Sequence, residues 1–105
     1  MVSGTVKVGK RHYRVRKAKI RKNWHSYCDI VKKDICLAHN IKSNIAPSAL
    51  LHELMHAMFA EYMKTDFSEK EEEEIINAFD RGFSLFAKHN KEAWIMLAIR
   101  MARVK

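Results

Sequence analysis

The chain has 105 residues, of which 48% are hydrophobic, 10% aromatic and 30% charged. This length suits one domain over residues 1–105, and the composition excludes collagen-like and disordered chains. Residues 1–10 contain no apolar run of signal-peptide length, and no segment approaches a membrane span. Cys28 and Cys36 are too few for a disulfide framework or a four-thiolate zinc site, so we expect them to be reduced and structural. We therefore expect a single cytoplasmic domain that makes no contact with a membrane.

The net charge of +8 is concentrated near the amino-terminal end. Residues 1–33 hold eleven lysines and arginines against one acid, Asp29, which gives a balance of +10 and leaves −2 for the other residues. A surface of this kind attracts a polyanion or an acidic protein. The basic third therefore predicts a weak attraction for nucleic acid as one of these two alternatives.

Alternating polar and apolar residues predict two β-hairpins in the basic β part, residues 1–40. The first turns at residues 9–12 and the second at Lys32 and Lys33. The predicted apolar pairs are Val8 with Tyr13, Val6 with Val15, Ile30 with Ile35, and Cys28 with Leu37. Residues 17–23 are basic without a clear period, so a loop and a short helix both remain open. The hairpins together predict a small antiparallel sheet.

Three helices are predicted in residues 41–105. Pro47 suits the first turn of a helix that continues to about Lys64, with Ser43 or Asn44 as its cap. Ser68 is a good N-cap for the second helix, and the third begins at about Glu92. We expect the third helix to close the core, together with an apolar stripe on the second helix formed by Ile76, Phe79, Phe83 and Phe86. The predicted fold class is α+β.

The predicted first helix contains the motif His-Glu-x-x-His at residues 52–56. Histidines four positions apart share one helix face, so His52 and His56 can direct imidazole nitrogens to one zinc ion. Glu53, one position further along, suits a general base for metal-activated water. The alternative is a pair of core histidines that are hydrogen-bonded without a metal, but burying three unpaired polar groups in so apolar a helix is costly. A zinc site is therefore the favoured interpretation.

A catalytic zinc needs a third protein ligand, and the acidic run at residues 71–74 offers four. At 100° per residue, Glu72 lies at the centre of the apolar stripe of the second helix, and Glu73 lies about 100° to one side. Glu72 is therefore the predicted third ligand, with Glu73 as the alternative. Tyr27, Tyr62, His25 and His89 are candidates for a transition-state donor, and the sequence does not choose among them.

The stretch LLHELMHAMF at residues 50–59, followed by EEEEIINAF at residues 71–79, resembles the small zinc peptidases of the ImmA/IrrE type and the minimal gluzincins. The hairpin and strand predicted before the zinc helix extend this resemblance. The resemblance implies a zincin-like helical core, a glutamate-ligated catalytic zinc and an association with phages or mobile elements. It also implies that the substrate is a protein or peptide, such as a regulatory protein.

These observations predict a zinc metallopeptidase that hydrolyses peptide bonds, with Glu53 as general base and His52, His56 and Glu72 as ligands. The alternative is a basic nucleic-acid-binding module with a structural zinc site, in which Tyr13, Trp24 and Tyr27 stack on bases. In a third interpretation, the apolar third helix faces a partner or a membrane rather than the core. The sequence leaves the oligomeric state open.

Overall fold

Four strands and three helices follow one another in a computed structural model that describes residues 4–63 and 67–104. The elements are β1 (Gly4–Val8), β2 (Arg11–Ala18), β3 (Ser26–Asp29), β4 (Asp34–Ala38), α1 (Ala46–Tyr62), α2 (Glu69–His89) and α3 (Lys91–Ala102). The predicted α+β class, with a small sheet before three helices, is confirmed. Within these ranges, no helix combines the length and apolarity needed to cross a membrane.

The sheet has the order β1-β2-β4-β3 and consists of two hairpins joined side by side. Both predicted hairpins are present, but β2 pairs with β4 in parallel, so the sheet is mixed rather than antiparallel throughout. The cause is the position of β4, whose five residues are all buried. A strand that is buried along its whole length takes an interior position, which leaves β3 at the edge.

Each hairpin pairs two residues away from the predicted register, with Val6 opposite Tyr13 and Cys28 opposite Ile35. In the first hairpin, Gly9 has φ +61°, the conformation that allows a two-residue turn with glycine in its first position. In the second, the Asp29 carboxylate accepts hydrogen bonds from the backbone N–H groups of Val31 and Lys32, at 3.0 and 2.9 Å, which supports a longer turn. A shift of two residues keeps the strand side chains on their faces, so the predicted faces are correct within the strands. The exception is Ile30, which lies in the turn after β3 and is 46% exposed, so its predicted place on the apolar face is wrong.

Helix α1 packs across the sheet through Ala57, Leu50 and Leu54. At its far end, Glu61 accepts a hydrogen bond from the Tyr13 hydroxyl at 2.7 Å, and the Tyr62 hydroxyl accepts one from the Gly9 N–H at 2.8 Å. These bonds attach the helix to the first hairpin. Apolar contacts along α1 and hydrogen bonds at its carboxyl-terminal end therefore both fix the orientation of the helix on the sheet.

The ends of α1 differ in part from the prediction. Pro47 lies in the first turn as expected, but the N-cap is Ile45 and no side chain caps the helix, so the predicted caps Ser43 and Asn44 are wrong. The helix ends at Tyr62. The predicted end near Lys64 lies outside the described residues.

Helix α2 begins as predicted, because Ser68 accepts a hydrogen bond from the Glu71 N–H and the Glu71 side chain accepts one from the Ser68 N–H. It runs antiparallel to α1, since Asp80 accepts a hydrogen bond from Ser48 at 2.9 Å near the start of α1. Between these ends, Ile76 is fully buried against Met55 and Phe59 of α1. The amino-terminal half of α2 therefore forms one layer with α1.

The carboxyl-terminal half of α2 and all of α3 depart from the predicted core. Phe79, Phe83 and Phe86 are 51%, 39% and 40% exposed, and no residue of α3 is buried. The cause is the length of α2. Asp80 lies opposite the start of α1, and α2 continues beyond that point to His89, where α1 no longer runs beside it. The aromatic stripe therefore meets only α3, through Trp94, and the prediction that α3 closes the core is wrong.

A buried ion pair supports the centre of the sheet. Asp34, 5% exposed, accepts hydrogen bonds from two guanidinium nitrogens of Arg16, Nε at 3.0 Å and a terminal nitrogen at 2.9 Å. The Arg16 guanidinium holds the pKa of Asp34 below its usual range. The Tyr27 hydroxyl lies in the same network, 2.8 Å from Arg16 and 3.3 Å from Asp34. The positive charge of Arg16 on β2 is therefore used inside the fold.

Candidate metal centre

The two histidines of the His-Glu-x-x-His motif lie side by side on α1, with ring centroids 5.0 Å apart. Their Nε2 atoms face the two oxygens of the Glu73 carboxylate, at 2.6 Å for His52 and 3.1 Å for His56. The donor atoms of His52, His56 and Glu73 all lie within 4.8 Å of one another. Each histidine side chain is 19% exposed, so the cluster opens to solvent.

Glu72, the predicted third ligand, has a different position. Its Oε2 lies 2.6 Å from Nδ1 of His56, on the side of the ring opposite to the Nε2 that faces Glu73. A carboxylate that accepts a hydrogen bond from Nδ1–H fixes the proton on that nitrogen, which leaves the Nε2 lone pair available for a cation. The geometry therefore favours Glu73 as the third ligand, and it makes Glu72 a positioning residue for the His56 ring.

The phase of α2 explains why the sequence favoured the other glutamate. The prediction centred the helix on the stripe that includes Phe79, Phe83 and Phe86, which are exposed instead of packed on α1. The polar contacts from α2 to α1 are instead made by Glu72, Glu73 and Asp80, and Ile76 is the fully buried apolar residue of this interface. At 100° per residue, the centre of this set lies about 55° from Glu72, roughly midway to Glu73. Both carboxylates therefore reach the histidines.

Glu53 lies at the base of the same cleft and is 6% exposed. Its Oε2 accepts a hydrogen bond of 2.6 Å from the Ser26 hydroxyl on β3, which fixes the orientation of the carboxylate. The Cys28 thiol is nearby, and burial together with the Glu53 carboxylate raises its pKa to about 12. At neutral pH burial therefore keeps this thiol protonated.

The cleft above the cluster has a volume of about 850 Å³. One wall comes from α1 and α2, and the other comes from β3 and the segment that precedes it. Because β3 is an edge strand, its outer backbone groups border this space. The residues that line this second wall are Asn23, Trp24, His25, Ser26, Tyr27 and Cys28.

Of the four candidate transition-state donors, only Tyr27 and His25 line this cleft. The Tyr27 hydroxyl is already bonded to Arg16 and Asp34. The Tyr62 hydroxyl binds the first hairpin at the far end of α1, and His89 is in the last turn of α2. His25 is the candidate whose ring is exposed at the cleft wall.

The three aromatic residues of the basic third have different environments. Tyr13 is fully buried in the core, and Tyr27 is half-buried in the Asp34 network. Trp24 is 46% exposed, with the Arg21 guanidinium 4.6 Å from its ring centroid. A row of three stacking aromatics is therefore absent among these residues, and Trp24 is the one of the three that remains accessible.

Two features of the site were not predicted from the sequence. Ser26 bonds Glu53 from 27 positions earlier in the chain, and no motif links the two residues. Ser48 and Asp80 join α1 to α2 beside the cluster, and their spacing carries no signal either. The chain was compared with protein-family models, curated proteins and solved structures, and no match was found.

Proposed function

We propose that the chain is a zinc-dependent metallopeptidase, with His52, His56 and Glu73 as ligands and Glu53 as general base. The observation that supports this proposal is the convergence of both Nε2 atoms of the motif on one carboxylate, beside a buried glutamate. A pair of ordinary core histidines would not require a third polar group from another helix. Three polar side chains meeting at an open cleft are typical of a ligand set.

The residues present fit a zinc ion by their donor chemistry. Two imidazoles and one carboxylate are the ligand set of many catalytic zinc sites, in which one position stays open for water or substrate. The contact from Glu72 to Nδ1 of His56 is the kind of outer carboxylate that usually orients such a ligand. Solvent access at the cluster is also consistent with an open position.

Zinc, when bound, supplies a Lewis acid that polarises a peptide carbonyl and lowers the pKa of water from ~15.7 toward ~7. Glu53 accepts the proton from the attacking water and returns it to the departing amine. The hydrogen bond from Ser26 holds one oxygen of Glu53, which leaves the other for this transfer. The low exposure of Glu53 keeps bulk water from competing for the same proton.

The position of β3 suggests how a substrate would be aligned. An extended peptide can add to an exposed sheet edge through main-chain hydrogen bonds. The free edge of β3 borders the cleft, and Ser26, which is on this strand, holds Glu53. A peptide added to this edge would run alongside the metal centre.

The test compares metal content and peptide cleavage in three variants. Purified wild-type protein should contain one zinc per chain, His56→Ala should lose it, and His89→Ala, a histidine outside the cluster, should retain it. Glu53→Gln keeps the shape and the bond from Ser26 but cannot accept a proton, so it should retain zinc while cleavage of a fluorogenic peptide library falls by about 10²–10⁴-fold.

Two results would contradict the proposal. Cleavage by Glu53→Gln at the wild-type rate would exclude Glu53 as the base. Wild-type protein that holds zinc but cleaves no member of the library would instead indicate a structural zinc. In that case the nucleic-acid-binding alternative predicts an affinity that falls steeply with salt and is unchanged by Glu53→Gln.

A further inference from the structure

A second cleft, of about 750 Å³, adjoins the one that contains the metal centre. The connection from β2 to β3, together with the segment after β4, forms most of its lining. Both clefts are lined by Asn23, Trp24, His25 and Ile45, so the two spaces share a common wall. A ligand long enough to pass Trp24 would occupy both.

The two clefts carry opposite charge. The metal cleft is lined by five acidic residues and by no lysine or arginine, the acids being Glu53, Glu69, Glu72, Glu73 and Asp80. The second cleft has no acidic residue in its lining and four basic ones, Lys19, Arg21, Lys22 and Lys42. Within residues 4–63 and 67–104, none of these four has a carboxylate within 4.0 Å. The second cleft is therefore a concave cationic site whose charge is not used inside the fold.

The turn before β3 holds Trp24 at the boundary of the two clefts. Asn23 has φ +71°, a conformation that asparagine tolerates better than most residues, and the Trp24 N–H donates to the Arg21 carbonyl at 3.1 Å. The Arg21 guanidinium stacks on the indole ring. The pair therefore presents an apolar surface beside a cation, next to the metal centre.

We propose that the second cleft binds an acidic segment of the peptide whose backbone enters the metal cleft, so that the substrate class is an acidic protein or peptide. This inference rests on the proposed function. Carboxylate side chains would pair with Lys19, Lys22 and their neighbours while the backbone follows the edge of β3. A nucleic acid suits the same surface less well, because the five carboxylates of the adjoining cleft repel a continuous row of phosphates. In addition, Trp24 is the one tryptophan, tyrosine or phenylalanine among the described residues that line the second cleft.

The test measures binding rather than cleavage, with terminally blocked hexaglutamate as probe and hexaglutamine as its uncharged control. Calorimetry on zinc-loaded and metal-free protein should show hexaglutamate binding in both, weakening as salt is raised. The double variant Lys19→Glu/Lys22→Glu should weaken binding at least tenfold. The matched control Lys7→Glu/Lys10→Glu changes the net charge equally, on β1 and the turn that follows it, and should weaken binding by less than threefold.

Equal effects of the two double variants would show that only net charge matters and would overturn the proposal. So would equal binding of hexaglutamine, or tighter binding of a six-nucleotide oligothymidylate that is lost in the same variant. Because the assay needs no zinc, its failure is distinct from failure of the proposed function. If the chain binds hexaglutamate but no zinc, the proposed acidic-peptide site is supported and the proposed peptidase is contradicted.

A different observation concerns the far end of α2. Nine large apolar side chains of α2 and α3 are 39–66% exposed: Phe79, Phe83, Leu85, Phe86, Ile95, Met96, Leu97, Ile99 and Met101. Taking ~200 Å² for each complete side chain, their exposed area is roughly 800–900 Å². Summed over all sides of the two helices, this total is close to the area of about 800 Å² that each partner contributes to a standard stable interface.

Helix α3 is apolar on two sides, and α2 covers only one of them. Trp94 and Leu97 line a groove with the α2 aromatics, whereas Ile95 and Ile99 lie about 100° and 140° from Trp94 on the other side. A helix that is apolar all round belongs in an interior. The near balance of charge beyond residue 33, at −2, allows two such surfaces to approach without strong repulsion.

We infer that the α2–α3 end is the interface of a homodimer, with a second copy of the chain as its occupant. Sedimentation of the wild-type chain should give a dimer that dissociates on dilution. Ile95→Glu, at an exposed position, should give a folded monomer, whereas Val31→Glu, an 86% exposed apolar position in the β3–β4 turn, should remain dimeric.

Three results would overturn this second inference: a wild-type chain that stays monomeric at all concentrations, an Ile95→Glu variant that still dimerises, or open-ended assembly. Binding of monomers to phosphatidylcholine–phosphatidylserine vesicles through the same residues would point to a membrane surface instead. Circular dichroism should show that both variants retain the helical content of the wild type.

Discussion

The two interfaces of helix α2 have opposite character. Toward α1, its side chains are mostly polar, and the histidines they meet there are largely buried. Toward α3, its side chains are aromatic and are left 39–51% exposed. A stable single domain favours the opposite arrangement, with apolar side chains at the buried interface and polar side chains at the exposed one. The reason is that burying polar groups costs free energy and so does exposing apolar ones. Both differences are accounted for by the two proposals, a metal ion at one end of α2 and a second copy of the chain at the other.

Position along the helix decides which of the two characters appears. Ile76 faces α1 and is fully buried, while Phe83 lies within about 20° of the same direction on a helix wheel. Phe83 is exposed because α1 begins opposite Asp80, so α1 does not extend alongside the next turns of α2. The same helix face therefore serves as core for the first half of α2 and as free surface for the second.

The largest expected effect comes from substituting Glu73, whose carboxylate contacts both histidines across the polar α1–α2 interface. Glu73→Gln should raise the zinc dissociation constant by on the order of a thousandfold, since it removes one of three protein ligands. Glu72→Gln should raise it by about tenfold, the usual effect of losing an outer carboxylate. Competition with a zinc-binding dye measures both constants. The reverse order of effects would restore Glu72 as the third ligand.

Truncation on the two halves of α2 compares the interfaces in free energy of unfolding. Ile76→Ala should destabilise the fold by about 3 kcal/mol, because it leaves a cavity in the packed α1–α2 core. Phe83→Ala should cost about 1 kcal/mol, the value of its contacts with Phe79 and Trp94. Urea denaturation at a concentration where the protein is monomeric gives both values. Equal losses would show that the two interfaces do not differ.

Asp34 provides a buried charge whose partners all lie within the chain. Asp34→Asn should cost about 2 kcal/mol, because it removes a buried charged partner from Arg16. Since the pKa of Asp34 is lower in the folded chain than in the unfolded one, its stabilising effect is present above about pH 4 and is lost as the pH falls through the lowered value.

Unfolding of the wild type and of Asp34→Asn, followed from pH 7 to pH 3, measures this contribution. The difference in stability between the two should shrink as the medium becomes more acidic. Zinc affinity at pH 7 should be the same in both proteins, whereas substitution of Glu72 or Glu73 on α2 should lower it. A pH-independent difference would mean that packing, and not the charge, accounts for the loss.

The smallest effect concerns the start of α2. Ser68→Ala removes the capping hydrogen bond to the Glu71 N–H and should cost about 1 kcal/mol. Because the cap fixes where the helix begins, the variant should also loosen zinc slightly through Glu72 and Glu73. The Ser84→Ala variant, with a single 3.3 Å bond to Asp80 on the exposed half of α2, should leave zinc affinity unchanged. An equal effect of the two substitutions on zinc would exclude a role for the cap.

Local signals predicted most of the elements correctly. Alternation of polar and apolar residues gave two hairpins with the right faces, although turn chemistry at Gly9 and Asp29 moved each register by two residues. Ser68 predicted the start of α2 because a capping residue acts on its own neighbours. The motif spacing placed His52 and His56 together, since four residues is one helical turn.

Contacts between distant segments were beyond these signals. The parallel pairing of β2 with β4 and the bond from Ser26 to Glu53 depend on how elements pack, and no local pattern encodes them. Periodicity grouped Ile76 with the α2 aromatics because it measures apolarity along one helix and carries no information about where the neighbouring helix begins.

The sequence by itself determined the α+β class, the helix that carries His52, Glu53 and His56, and the acidic turn that could meet them. Each of these follows from interactions within a few residues. Only the tertiary structure decided that Glu73 is shared by both imidazoles, that Glu72 turns to Nδ1, and that α3 stays outside the core. These outcomes depend on the relative position and length of α1 and α2, which packing sets over long distances in the chain.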